Sequence, residues 1–138
     1  MGNILKISEA ASLALHTAVI LASNPKRLIS TKELAEKLHA SEAHLSKVLQ
    51  RLEKSGIVQA TRGPKGGYRL GKDSDQVTLL EVYESIDGKL AYSDCLLSEC
   101  ICNGDCIMGK LLSDLNSQVR DYLTKTKLSQ LAKNISRF

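Results

Sequence analysis

Between residues 62 and 67 the chain reads Arg62-Gly63-Pro64-Lys65-Gly66-Gly67, three glycines and a proline in six residues. No helix or strand runs through such a stretch. Glycine opens φ to both signs, proline fixes φ and removes an N–H, and the two together favour tight reversals. Short β-prone segments flank it, Ile57–Thr61 and Tyr68–Leu70, so the run is expected as the turn of a β-hairpin with Arg62 and Lys65 at its tip. The segment before the hairpin is helical. Ser30-Thr31-Lys32-Glu33 is a capping box that opens a short helix over Thr31–Leu38. Ser41 with Glu42 opens another, and Gly56 after Lys54-Ser55 stands at its C′ position. Along that helix Leu45, Val48, Leu49 and Leu52 form the inward stripe. Two short helices joined by His39-Ala40 describe a helix-turn-helix, and a basic hairpin placed directly after it makes a winged helix.

Elsewhere the pattern is also helical. Residues 6–22 contain no breaker, and Ile7, Ala11, Ala14, Leu15, Ala18, Val19 and Leu21 predict a helix buried on much of its surface. Thr78-Leu79-Leu80-Glu81 is a second capping box, opening a helix to about Ile86. Residues 92–106 have little periodicity and are expected as a loop. Met108, Leu112, Leu115, Val119 and Tyr122 then form a heptad seam on a long helix. That helix has too few other partners in the chain, so it is expected to pack on a second subunit. A turn of helix over Lys127–Ile135 closes the chain. The expected fold is mainly α with a small β-hairpin: a winged helix-turn-helix (1–90), a cysteine-rich loop (91–106), and a dimerisation helix with a C-terminal segment (107–138).

Composition limits the alternatives. With 138 residues, 43% of them hydrophobic, one core can be buried, and the absence of Trp and the single Phe make it a core of Leu, Ile, Val and Ala. No apolar run approaches the ~20 residues of a membrane span, and no signal peptide is visible, so a cytoplasmic protein without a membrane partner is expected. No Ser/His/Asp set, carboxylate pair or phosphate-cradling loop points to an enzyme.

All four cysteines sit in Cys95-LLSE-Cys100-I-Cys102-NGD-Cys106. Thiolates held so close repel one another unless a cation shares them, and in a reducing compartment disulfides are not the default. Such a set suits a metal centre, either zinc or an iron–sulfur cluster, both of which accept four thiolates.

The net charge of +4 and pI near 8.9 suggest nucleic acid only weakly. Ligation of an oxidised two-iron cluster by four thiolates would lower that charge to roughly +2, so DNA affinity must come from local basic residues. On the second helix of the helix-turn-helix, His44, Ser46, Lys47, Gln50 and Arg51 face outward; Lys and Arg suit phosphates, and His, Ser and Gln can address base edges in the major groove. Arg62, Lys65 and Arg69 on the hairpin have little reason to be basic unless phosphate lies there. Double-stranded DNA is therefore the expected partner. His16, on the mostly apolar first helix, is expected as a hydrogen-bonded core residue, with ligation of a metal centre in a partner subunit as the alternative. His39 is expected as a turn residue.

The run from Arg62 to Asp73, RGPKGGYRLGKD, closely resembles the wing of the Rrf-two family of bacterial regulators, and the resemblance extends from the first helix through the cysteine loop to the long helix. It implies a homodimeric winged-helix transcription regulator with its long helices crossing at the dimer interface. In many members, the IscR-, NsrR- and RirA-like ones among them, an iron–sulfur cluster (2Fe–2S or 4Fe–4S) in the loop sets DNA affinity. A two-fold dimer implies an inverted-repeat operator. One cluster-binding pattern of the family has three cysteines and then a histidine; this chain has Gly109 at the histidine place. Another takes a carboxylate from the partner's first helix, where Ser12 aligns with Glu9 nearby. Cys102 has no counterpart in either pattern. It either completes an all-thiolate set of Cys95, Cys100, Cys102 and Cys106, the simplest expectation, or replaces Cys100 as the middle ligand. Where one cysteine drops out, His16, Ser12 or Glu9 from the partner's first helix is the substitute. A DNA-binding protein with structural zinc is the alternative, and a ferredoxin-like electron carrier a remote one.

Overall fold

The computed structural model describes residues 5–135. Six helices and one hairpin follow in the order α1 (Glu9–Ser23), α2 (Thr31–Leu38), α3 (Glu42–Lys54), β1 (Val58–Thr61), β2 (Gly67–Leu70), α4 (Leu79–Asp87), α5 (Leu111–Lys125) and α6 (Leu128–Leu131). Short 3-10 turns stand at Ser74–Gln76 and Ala132–Asn134.

The helix boundaries follow from capping chemistry. Ser8 accepts the Ala11 N–H at 3.0 Å, so α1 begins at Glu9 and not at Lys6. Ser30 and Glu33 complete the reciprocal capping box of α2. His39 ends that helix in the left-handed region at φ 53, the tight turn of the helix-turn-helix. The second capping box is only half formed. Thr78 Oγ1 accepts the Glu81 N–H at 3.2 Å, but the Glu81 carboxylate turns away to Lys72 Nζ at 3.0 Å.

The wing is joined to the body by a feature that periodicity did not reveal. β1 and β2 pair antiparallel with Thr61 opposite Gly67 and Val58 opposite Leu70. Ile29, in the link between α1 and α2, then bridges to Tyr68: the Tyr68 N–H donates to the Ile29 carbonyl at 2.8 Å, and the Ile29 N–H to the Tyr68 carbonyl at 3.0 Å. Ile29 thus acts as a one-residue third strand.

One hydrophobic core runs through the described residues. Ile20 and Leu21 of α1, Leu34, Leu45, Leu49, Leu52, Ile57 and Val82 meet there with Leu123 and Leu128 from the C-terminal segment. The Leu128 N–H donates to the Val77 carbonyl at 3.0 Å, stitching the start of α6 to the strand-like link before α4. The closing helix is shorter than expected, stopping at Leu131 before a 3-10 turn.

The expected heptad seam is divided. Helix α5 starts at Leu111, so Met108 lies in the turn before it. Val119 packs against the core and Leu123 is buried, whereas Leu111, Leu115 and Tyr122 are 52%, 41% and 57% exposed on another face. The apolar residues of α5 therefore form two stripes: one against this chain's own core, one facing outward. His16 is corrected as well. It is exposed and not a core residue, with Nδ1 2.7 Å from the Ser12 carbonyl oxygen.

Candidate functional site

Helix α3 and the wing form one face. Lys47, Gln50 and Arg51 on α3 are exposed, as are Arg62 and Lys65 at the hairpin tip and Arg69 on β2. Leu45, Val48, Leu49 and Leu52 of α3 are buried, which fixes the rotation of the helix and therefore which side chains face out. Between the N-terminus of α2, α3 and the wing lies an open groove of about 510 Å³ lined by Ser30, Gln50, Glu53, Arg62 and Tyr68. Arg69 Nη2 lies 3.5 Å from Gln59 Oε1, directly across the hairpin. Burial, and secondly the Glu53 carboxylate, push the Tyr68 phenol above its ordinary pKa, so it stays neutral.

Two of the expected reading residues are less available. His44 and Ser46 are half-buried, and His44 Nδ1 stands 3.9 Å from the Glu9 carboxylate at the start of α1. Glu9 is thus brought to the edge of the α3 surface.

The cysteine loop spans the gap between α4 and α5. Cys100 is exposed; Cys95, Cys102 and Cys106 are half-buried. The Cys100 thiol is held below its ordinary pKa, first by the backbone N–H of Cys102 and then by the Cys95 thiol; loss of hydration opposes this, and the Cys102 thiol adds to it. The Cys100 sulfur therefore lies beside those of Cys95 and Cys102. Cys106 Sγ accepts the Met108 N–H at 3.4 Å. Among the described residues no three Cys, His, Asp or Glu side chains converge on a point where one metal ion could sit. Gly109 is in the left-handed region at φ 60, within the turn that leads into α5. That conformation explains why a residue without a Cβ occupies the place.

The loop is pinned on both sides. The Leu90 N–H donates to Glu84 Oε2 of α4 at 2.7 Å. On the other side, Asn116 Nδ2 of α5 donates to the Ser93 carbonyl at 3.0 Å and to Asp94 Oδ1 at 3.1 Å, immediately before Cys95. Sequence reasoning found none of these anchors, because pairs of polar residues far apart in the chain leave no periodic trace.

A helix-turn-helix with a basic wing at its flank defines a winged-helix DNA-binding protein of the transcription-regulator class. Comparison with known proteins narrows the class. Residues 7–134 match the Rrf2 model, described as "Iron-dependent Transcriptional regulator", and the chain belongs to that family. The HTH-type transcriptional regulator IscR of Photorhabdus laumondii is 32% identical over 103 residues, covering 74% of this chain and 63% of that protein. IscR of Sodalis glossinidius is 30% identical over 129 residues, covering 93% and 74% respectively. Among solved structures, CymR, described as the global cysteine regulator of B. subtilis, superposes with a TM-score of 0.79 at 25% identity, covering 96% of this chain and all of that one. These relatives are transcription regulators, not enzymes. Among the described residues no helix is long and apolar enough to cross a membrane.

Proposed function

We propose that this chain is a homodimeric transcription regulator that binds an inverted-repeat operator and whose DNA affinity is set by an iron–sulfur cluster held in the Cys95–Cys106 loop. The observation that carries the reading is the Cys100 thiol lying beside those of Cys95 and Cys102 in a loop anchored to both α4 and α5. The donor set fits the group: soft sulfur, one thiol already eased toward thiolate, and a backbone N–H directed at it. Cys95 and Cys106 would be the outer ligands, with Cys100, Cys102 or both between them. A bound cluster would supply a centre reactive toward redox change, iron supply or nitric oxide. Glu9, Ser12 and His16 follow one another at helical spacings of three and four and so share a face of α1, from which a partner subunit could offer a further ligand.

The DNA-facing roles follow from exposure and chemistry. Lys47 and Arg51 on α3, with Arg62, Lys65 and Arg69 on the wing, contact phosphate or groove edges; Gln50 contacts base edges, with His44 and Ser46 nearer the margin. Residues 1–90 carry DNA binding, 91–106 the cluster, and 107–138 dimerisation, with the exposed stripe Leu111, Leu115 and Tyr122 as the α5 contribution and Met108, Leu112 and Val119 beside it. The deciding experiment is purification without oxygen followed by assay of iron, sulfide and zinc on the same sample. Iron and sulfide in the wild type, with visible absorbance lost in Cys95→Ala and Cys106→Ala, support the reading. Stoichiometric zinc without sulfide overturns it in favour of a structural zinc site.

A further inference from the structure

Asp87 stands at the wrong end of a helix. It is the last residue of α4, where the macrodipole is negative and a carboxylate is disfavoured. Its compensation lies on another element. The Ser8 hydroxyl sits 2.9 Å and 2.8 Å from the two Asp87 carboxylate oxygens and donates its one proton to them. Ser8 is the N-cap of α1, at the positive end of that helix, and the same oxygen accepts the Ala11 N–H. The carboxylate of one helix is thus stabilised by the N-terminus of another.

Both ends of this contact lead to functional elements. On one side, Asp87 is followed by Gly88, in the left-handed region at φ 78, where the cysteine loop begins. Glu84 holds that start twice, its carbonyl accepting the Gly88 N–H at 3.0 Å and its carboxylate the Leu90 N–H at 2.7 Å. On the other side, Ser8 is followed by Glu9, which faces His44 in the first turn of α3. The Ser8–Asp87 and Glu9–His44 contacts are the steps in this route, from the loop to the reading helix, that are not covalent.

We infer that the Ser8–Asp87 hydrogen bond couples the state of the cysteine loop to the position of the DNA-reading helix, with Ser8 and Asp87 as positioning residues that touch neither DNA nor the thiols. The inference rests on the loop being the sensing element. A displacement of Cys95 acts on residues 88–94, which are clamped by Glu84 and Asn116. Because Glu84 ties Gly88 and Leu90 to α4, the displacement passes to Asp87 at the end of that helix, then to the cap of α1 and through Glu9 to His44. This is a contiguous physical network between two sites.

The test compares operator affinity of the full chain in two states, carrying iron and sulfide and after anaerobic chelation, on DNA selected from random sequence by the wild type. Coupling between two sites typically changes affinity by about 5–150-fold, and a wild-type ratio in that range is expected. Asp87→Ala removes the acceptor and leaves the α1 cap; Ser8→Asp keeps a capping oxygen and sets two carboxylates against each other. Both residues are exposed, so both variants fold. In each the ratio falls to within about twofold while iron and sulfide content stay at the wild-type level. The double variant Ser8→Asp/Asp87→Asn exchanges donor and acceptor and regains most of the ratio. A full ratio in both single variants overturns the relay and leaves cluster sensing standing. A wild-type ratio near one overturns both.

Discussion

Gly67→Ala tests how the wing is held. A Cβ added to Gly67 would lie 2.8 Å from the carbonyl carbon and oxygen of Ile29 and 3.0 Å from its nitrogen. All three are backbone atoms, and Ile29 is fully buried, so no side chain can swing aside. Relief requires β2 to move outward by roughly half an ångström or more, toward ordinary carbon contact distance. That movement stretches the two hydrogen bonds between Ile29 and Tyr68, now 2.8 and 3.0 Å, to the limit of useful geometry. At about 1 kcal/mol net for each bond the loss is about 2 kcal/mol, and the reduced freedom of the unfolded chain returns about 0.5–1. The expected net destabilisation is about 1–1.5 kcal/mol, or a fall in Tm of about 3–7 °C for a chain of this size.

Thermal unfolding followed by circular dichroism measures that shift, and amide exchange locates it. The Ile29 and Tyr68 amides should exchange faster in Gly67→Ala. Gly63→Ala is the control: its Cβ meets nothing within 4 Å, but its φ of +112 makes any side chain strained. Gly63→Ala should loosen the hairpin tip without exposing the Ile29 and Tyr68 amides. A Gly67→Ala protein with Tm within about 1 °C of wild type and unchanged exchange at those amides would refute the close-approach reasoning.

Four further outcomes are expected. Alanine at Lys47, Arg51, Arg62 or Lys65 should reduce the slope of log K against log salt by about one unit for each phosphate that the variant no longer neutralises, measured by operator titration across salt. Leu115→Asp places a charge in the outward stripe of α5 and should shift sedimentation from dimer toward monomer; an unmutated chain that sediments as a monomer at micromolar concentration excludes the dimer. Leu128→Ala should cost about 2–5 kcal/mol in denaturant unfolding, because Leu128 is fully buried in the shared core. Thr17→Val should be neutral or stabilising by up to about 1 kcal/mol in the same assay, since the Thr17 hydroxyl is buried without a hydrogen-bond partner among the described residues.

Helices and turns were legible in the sequence where local chemistry decides them. Ser30 with Glu33, Ser41, and Gly56 at φ 83 set the ends of α2 and α3 because a cap is a contact among neighbours in the chain. The hairpin was legible for the same reason. Tertiary contacts were not. Ile29 reads as one more apolar residue in a linker, yet it bridges to Tyr68. The α5 stripe reads as a single heptad, yet Val119 and Leu123 turn inward while Leu115 and Tyr122 turn out, because α5 packs on α4 of its own chain. Glu81 was expected to close its capping box, but Lys72 competes for the same carboxylate. His16 sits among apolar letters, yet the rotation of α1 places it outside.

The departures from local consistency concentrate between α4 and α5. Asp87 opposes the dipole of its own helix, and Leu96, Leu97, Ile101 and Ile107 are 51–82% exposed in an otherwise polar loop. None of these residues adds to the core, and each is poorly placed on folding grounds alone. The buried core lies outside this segment, so packing within this chain does not account for its exposed apolar side chains. The four cysteines lie inside it, and Glu84, Asp87 and Asn116 tie its margins to α4, α1 and α5. On the proposed function, anchorage at the margins would let the loop change state without unfolding the body, and would carry that change to the helices on which DNA binding and pairing of subunits would depend.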